Sequence, residues 1–342
     1  MRPAVFAADE ALPPDEVFPP WPGQPVRIDG VVTYVRRTPA RSAGAEPALY
    51  VHGLGGSSRN WTDLAGLLAH RLDGEAIDLP GFGNSEPARR YSLAALAEHV
   101  VRYLEHTGRG PVHLFGNSLG GAVAVVVAGL RPDLVRTLTL ISPAMPFLDL
   151  RRSTQARLLP LLVVPGADRL VVRQLNRVTP EEVARQVIET CFADPTRVCD
   201  QRRRETIEEI RVQIATDHFA RVYLRTLRGL VTSFLRAYLP GAGSIWRIAA
   251  RITAPTLVIG GRQDRVVDIR AAAQAARIIP DSRLSLLDGV GHVAQMEVPR
   301  TVARAVIALL DEAKSAGGQS GHGRLKGDVR TQSSPEDRQP AA

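Results

Sequence analysis

Ser118 stands in the run Gly116-Asn117-Ser118-Leu119-Gly120-Gly121, directly after the apolar segment Val112 to Phe115 and directly before Ala122 to Leu130. A strand-to-helix corner this tight forces its central residue into a strained backbone conformation, and side chains two positions to either side would clash. Such a corner lifts a hydroxyl out of a sheet towards solvent, where a nucleophile belongs. A protonated hydroxyl is a weak nucleophile near neutral pH, so it needs a base. His292, in Gly289-Val290-Gly291-His292, is the candidate, because glycines surround it and it follows the apolar run Leu284 to Leu287. Asp264, which follows Thr256 to Ile259 through Gly260-Gly261-Arg262-Gln263, can accept from one imidazole nitrogen, fix the tautomer and stabilise the imidazolium. The chemistry of this set is acyl transfer through a serine. Asp268 and Asp288 read as a helix cap and a turn residue. His70, His99, His106, His113, His218 and His322 read as surface or hydrogen-bonded core histidines.

Three residues so far apart need one sheet edge to bring them together. Short apolar runs alternate with helix-period segments: Ala48 to Val51, Trp61 to His70, Ala76 to Leu79, Leu93 to His106, Val112 to Phe115, Leu119 to Leu130 and Leu138 to Ile141. This alternation predicts parallel strands with helices on both faces, so loops at the carboxyl edge would carry Ser118, Asp264 and His292. Ser92 and Gly108 read as the cap and stop of the second helix. Asp29-Gly30, between Val26 to Ile28 and Val31 to Val35, predicts a two-residue hairpin turn.

After Pro143 the alternation fails for about a hundred residues, and residues 144–250 read as an inserted helical lid. Thr179-Pro180-Glu181-Glu182 starts one helix with a capping hydroxyl and proline at the first position; His218 to Leu235 forms a longer one with a broad apolar face. Phe147, Leu148 and residues on this longer helix are candidates for shaping a substrate pocket. The pattern resumes with Thr256 to Ile259, Ala271 to Ile279, Leu284 to Leu287 and Val302 to Leu310, which gives a second core part over 251–313 after a first over 26–143. Prolines at 13, 14, 19, 20, 22 and 25 predict that residues 1–25 form an extended arm, with order beginning after Pro25. Beyond Ala313, few apolar residues remain, so 314–342 is expected to be a disordered tail.

The chain of 342 residues carries a formal net charge of +8. Between Arg151 and Ala250 there are 17 arginines and no lysine against 10 acidic residues, so that stretch alone holds +7. With no nucleic-acid motif or aromatic platform among them, these arginines read as solvated helix faces; weak contact with an anionic membrane surface stays open. Cys191 and Cys199 are too few for a disulfide framework and read as buried thiols in a cytoplasmic protein, which the lack of an apolar signal core also favours. No phosphate loop, dinucleotide fingerprint or metal-ligand cluster is present, so no cofactor and no metal is expected, and the partner is a small-molecule ester or acyl substrate.

The order Ser118, Asp264, His292, taken with His52-Gly53-Leu54-Gly55-Gly56 and Asp78-Leu79-Pro80-Gly81-Phe82-Gly83-Asn84-Ser85, resembles the α/β-hydrolase family over roughly residues 26 to 312. The resemblance implies an α/β fold with a mostly parallel central sheet, helices on both faces and an inserted lid. It assigns the oxyanion donors to the backbone N–H groups of Leu54 and Leu119, and it makes His52 a loop brace. The expected activity is carboxylic ester hydrolysis through an acyl-enzyme. The alternative is a carbon-carbon hydrolase of a meta-cleavage dienoate, similar in its Gly-Asn-Ser-x-Gly-Gly elbow and in Gln295 and Glu297, but departing at Val293 and at Gly55-Gly56-Ser57; in it a lid arginine would bind the substrate carboxylate. A non-catalytic binding protein on the same fold is the remaining reading.

Overall fold

The structure is a computed structural model that describes residues 1–13, 16–146, 166, 169, 171, 173, 177–239 and 244–322, with side chains through Ala316. Among the described residues, nine strands form one sheet: β1 (Arg2–Pro3), β2 (Gly23–Ile28), β3 (Val31–Thr38), β4 (Glu46–Val51), β5 (Leu72–Ile77), β6 (Val112–Asn117), β7 (Val135–Ile141), β8 (Thr256–Gly261) and β9 (Ser282–Leu287). Their order is β1-β9-β8-β7-β6-β4-β5-β3-β2, parallel from β1 to β5 and antiparallel only where β3 meets β5 and β2. The Asp29-Gly30 turn joins β2 and β3, with φ of 46° and 83° as a two-residue hairpin turn of this hand requires.

Strand β4 shows why both faces are covered. Leu49 and Val51 belong to one core cluster and Ala48 and Tyr50 to another, the period-2 alternation of a strand buried on both sides. The first cluster is closed by α2 (Leu93–Thr107), α3 (Leu119–Leu130) and α8 (Ile269–Ile278), the second by α1 (Thr62–Leu68) and α10 (Pro299–His322). Ser92 caps α2 by accepting from the Ala95 N–H, and Gly108 ends it at φ 63°. Between β7 and β8 lie α4 (Pro180–Cys191), α5 (Asp200–Ile214), α6 (Phe219–Ala237) and α7 (Ile245–Ala249), where an insertion is expected. Phe147 and Leu148 lie outside the described residues. A short helix, α9 (Ala294–Glu297), precedes α10.

Three expectations are corrected. Order does not begin after Pro25 but within the segment 1–25: β1 pairs with β9, Phe18 is buried against Gly66 of α1, and the Phe18 carbonyl accepts from Arg202 of α5 at 2.6 Å. Pro25 is tolerated in β2 because that strand is the edge of the sheet, where a missing donor costs no ladder bond. The last helix does not stop at Ala313 but continues to His322, since a helix nucleated on a packed face extends at little cost per residue; 323–342 lie outside the described residues. Cys199 is exposed just before α5, and Cys191 alone is well covered.

Several arginines of the inserted region are engaged with acids. Arg185 pairs with Glu182 and Glu189, Arg211 with Glu181 and Glu208, and Arg202 with Asp63 and Glu205. The Arg202 pair is well shielded and ties α5 to α1. No helix among the described residues is long and apolar enough to cross a membrane.

Candidate active site

Ser118 occupies φ 53° and ψ −118°, a region that L side chains rarely adopt. Its N–H donates to the Ile141 carbonyl at 3.0 Å, and its carbonyl accepts from Ala122 and Ala144, so the neighbouring strand and helix hold the strain in place. The flanking glycines are required by contact. A Cβ at Gly116 would lie 2.4 Å from the Gly120 carbonyl oxygen, and one at Gly120 would lie 2.2 Å from that of Val51. Closing the corner thus presses α3 against the end of β4.

Asp264 and His292 meet beyond the carboxyl ends of β8 and β9, two strands on the same edge as β6. Asp264 Oδ1 accepts from the N–H groups of Val266 and Val267 at 2.8 and 2.9 Å, and Oδ2 lies 2.8 Å from His292 Nδ1. Burial pushes the Asp264 carboxyl up, but the His292 ring and the two N–H groups outweigh burial and hold it below the usual carboxylate range. An ionised carboxylate only accepts, so Nδ1 carries the proton and Nε2 keeps its lone pair. Asn117 Nδ2 donates to the carbonyls of Ile141 and His292, tying the histidine loop back to the elbow.

The turn after β4 faces the serine. A Cβ at Gly53 would come within 3.1 Å of Ser118 Cβ, which brings the Leu54 backbone alongside. Among the described residues, the N–H groups of Leu54 and of Leu119, the first residue of α3, donate to no protein acceptor. His52 Nδ1 donates to the Gly53 carbonyl at 2.7 Å and Nε2 accepts from the Leu79 N–H at 2.9 Å. Burial pushes this ring's pKa down and keeps it a neutral brace.

A cavity of about 600 Å³ opens over these groups, within the range of small-molecule sites. Ser118, His292, Gly53 and Leu54 line it together with Val183 and Val187 of α4, Ile210 and Ile214 of α5, and Phe219, Tyr223 and Leu224 of α6. The candidate helix His218 to Leu235 therefore reaches the cavity through four residues, Ala220 being the fourth. Tyr223 packs its ring on Gly55, which takes φ 79°. Cys191 also lines the cavity, but burial pushes its thiol up to about 12, so it stays protonated and is no rival nucleophile. No group of side chains that could hold a metal occurs among the described residues.

The comparisons with known proteins bear on this arrangement. The model of the alpha/beta hydrolase family matches residues 48–305, three quarters of the chain. The chain belongs to the alpha/beta hydrolase family. It is 30% identical over 269 residues to the dihydrolipoyllysine-residue acetyltransferase component of the acetoin cleaving system of Pseudomonas putida, which covers 78% of this chain; the chain spans only 64% of that relative. It is 28% identical over 276 residues to a monoacylglycerol lipase of Homo sapiens, covering 78% of this chain and 76% of the lipase. Among solved structures, a meta-cleavage product hydrolase from Pseudomonas fluorescens superposes with a TM-score of 0.67 at 20% identity, covering 85% of this chain and 98% of that one. At that identity the superposition speaks for the fold alone.

In this alpha/beta hydrolase two acids matter that the sequence does not single out for a role. Glu297 lies five residues past His292, and its side chain is fully buried. It accepts from the N–H groups of Gly291, Ala193 and Asp194 at 2.7 to 3.2 Å, and Arg197 sits 3.3 Å away. One carboxylate thus clamps the histidine loop to the segment that follows α4. Glu297→Ala is expected to cost roughly 3 kcal/mol of stability, because one buried and two part-buried donors lose their acceptor together. Urea unfolding measures this, and a loss under about 1 kcal/mol would refute the clamp.

Glu209 of α5 lines the cavity together with the turn after β4. Burial, with Asp78 adding to it, pushes its carboxyl up to about 7 against the smaller opposing pull of Ser57, Arg59 and Arg36. An acid whose native pKa is raised stabilises the fold fully below its unfolded value of about 4.3 and loses that contribution as pH rises through about 7. Glu209→Gln should therefore gain stability over the parent between pH 5 and pH 8. Thermal midpoints across that window check it, and parallel curves would show that Glu209 is not held this way.

Proposed function

We propose that the protein is a serine carboxylester hydrolase. Ser118 Oγ attacks the ester carbonyl carbon while its proton passes to His292 Nε2. Asp264 holds the ring with Nδ1–H towards itself and stabilises the imidazolium. The carbonyl oxygen becomes an oxyanion between the N–H groups of Leu54 and Leu119, which need no reorganisation to receive it. The C–O bond to the alcohol then breaks, the alkoxide takes the proton from His292, and an acyl-Ser118 remains. A water molecule, deprotonated by the same nitrogen, attacks the acyl carbon and releases the acid and the serine. Helices α4 to α6 act as the lid that shapes the acyl and alcohol pocket.

The observation that carries this reading is the 2.8 Å contact between His292 Nδ1 and a carboxylate held below its usual range, because it directs Nδ1–H to Asp264 and leaves Nε2 as the other ring nitrogen in the cavity that Ser118 and His292 line. The lining also favours an ester over a dienoate. A dienoate brings a carboxylate, yet among the described residues no arginine or lysine lines the cavity, and Glu209 there is an acid. The name of the human relative, a monoacylglycerol lipase, points the same way.

An ester series of increasing acyl length, run beside one meta-cleavage dienoate, tests the proposal. Turnover of the esters with no turnover of the dienoate is expected. Dienoate cleavage without ester cleavage would overturn it.

A further inference from the structure

One wall of the cavity carries its acid. Helix α6 and the loops bearing Asp264 and His292 present mostly apolar groups such as Phe219, Leu224 and Met296, and α4 sets Val183 and Val187 beside the neutral polar Gln186 and Thr190. Helix α5 presents Thr206, Glu209 and Gln213 at spacings of three and four residues, a polar stripe beside Ile210 and Ile214 on the same side. A helix face that covers an apolar cavity is ordinarily apolar itself, so this stripe costs burial that needs a return.

The stripe is organised around the carboxylate. Gln213 Nε2 donates to Glu209 Oε1 at 3.2 Å, and the Ser57 hydroxyl faces the same group. Ser57 follows the Gly53 to Gly56 turn, and its N–H donates to Asn60 Oδ1, another residue of the cavity wall. A second, water-sized void of about 40 Å³ lies behind Glu209, lined by Asp78, Arg36 and Ser58, so the acid stands between a polar pocket and the reaction cavity. Glu209 is the only acidic side chain lining the cavity among the described residues.

We infer that the Glu209 stripe recognises hydroxyl groups on the alcohol half of the ester, so that the preferred substrates are acyl esters of a polyhydroxy alcohol. The inference rests on the ester reading above. A carboxylate in an apolar cavity loses hydration when substrate fills the space, and an alkyl alcohol offers nothing in exchange. A hydroxyl donor restores the hydrogen bond, and a site built to bond a hydroxyl rejects the analogue that lacks it. The apolar walls on the other sides take the acyl chain.

The test is the ratio of kcat/KM for glyceryl monooctanoate to that for methyl octanoate in the parent, Glu209→Leu and Glu209→Gln. The parent is expected to favour the glyceryl ester about tenfold, the worth of one good hydrogen bond. Glu209→Leu should bring the ratio near unity, and Glu209→Gln, which keeps an accepting oxygen of the same shape, should retain most of it. A ratio near unity in the parent, or one unmoved by Glu209→Leu, overturns the inference while the ester reading stands. If neither ester is cleaved and Ser118 resists a fluorophosphonate, both fall. A preference for the choline ester over the glyceryl ester would replace the hydroxyl with a cation and also overturn it.

Discussion

Ser118→Ala is expected to lower kcat for ester hydrolysis by roughly 10⁴- to 10⁶-fold, with stability changed by no more than about 1 kcal/mol. The loss is large because His292 and Asp264 have nothing to activate once the hydroxyl is gone, and what remains is the oxyanion donors and binding. The small effect on folding follows from the backbone. The strained φ of 53° is held by bonds from the Ser118 N–H and carbonyl, which alanine keeps, and the side chain makes no cap bond to α3. Initial rates with a short acyl ester and a urea curve on the same preparation settle both halves. A variant that cleaves as fast as the parent removes Ser118 from the reaction.

Asp264→Asn should cost about 10⁴-fold in kcat, although the side chain has the same shape. The backbone N–H groups of Val266 and Val267 demand an oxygen at Oδ1, so the amide nitrogen must replace Oδ2 and point its hydrogens at His292 Nδ1. The ring then accepts at Nδ1 and carries its proton at Nε2, the wrong nitrogen for a base. Stability supplies an independent check. A carboxyl held below its usual value stabilises the fold above the unfolded pKa of about 3.9 and loses that contribution as pH falls through its native value. The stability gap between parent and Asp264→Asn should therefore narrow as the solution is acidified below pH 4. A gap that is constant with pH, or a kcat within tenfold of the parent, would mean that the carboxylate does not set the tautomer.

The proposed triad was legible in the chain because each of Ser118, Asp264 and His292 carries a local signal. Ser118 sits between glycines at a strand-to-helix corner, and Asp264 and His292 follow apolar runs through glycine-containing loops, so the parallel sheet alone brings their ends to one edge. Residues whose partners are distant gave no such signal. Phe18 looks like an isolated apolar residue among prolines, and its burial depends on a glycine at position 66 that lets its ring approach α1. Glu297 stands out in the sequence only as a likeness near His292, and its clamping role is hidden because two of the N–H groups it collects belong to the segment after α4, about a hundred residues away. Glu209 lies in a helix whose other residues are largely charged, so no periodic face announces which side meets the cavity. Proline counts misjudge the N-terminal segment for the same reason: they forbid local structure and say nothing about an edge strand ready to accept Arg2–Pro3.

Labelling the parent, Ser118→Ala and His292→Ala proteins with a fluorophosphonate, followed by peptide mapping, tests the central claim most directly. One adduct per parent chain is expected, on the peptide containing Ser118, with none on Ser118→Ala and labelling slowed by several orders of magnitude on His292→Ala. An adduct on another residue, or labelling of Ser118 that is indifferent to His292, would contradict it.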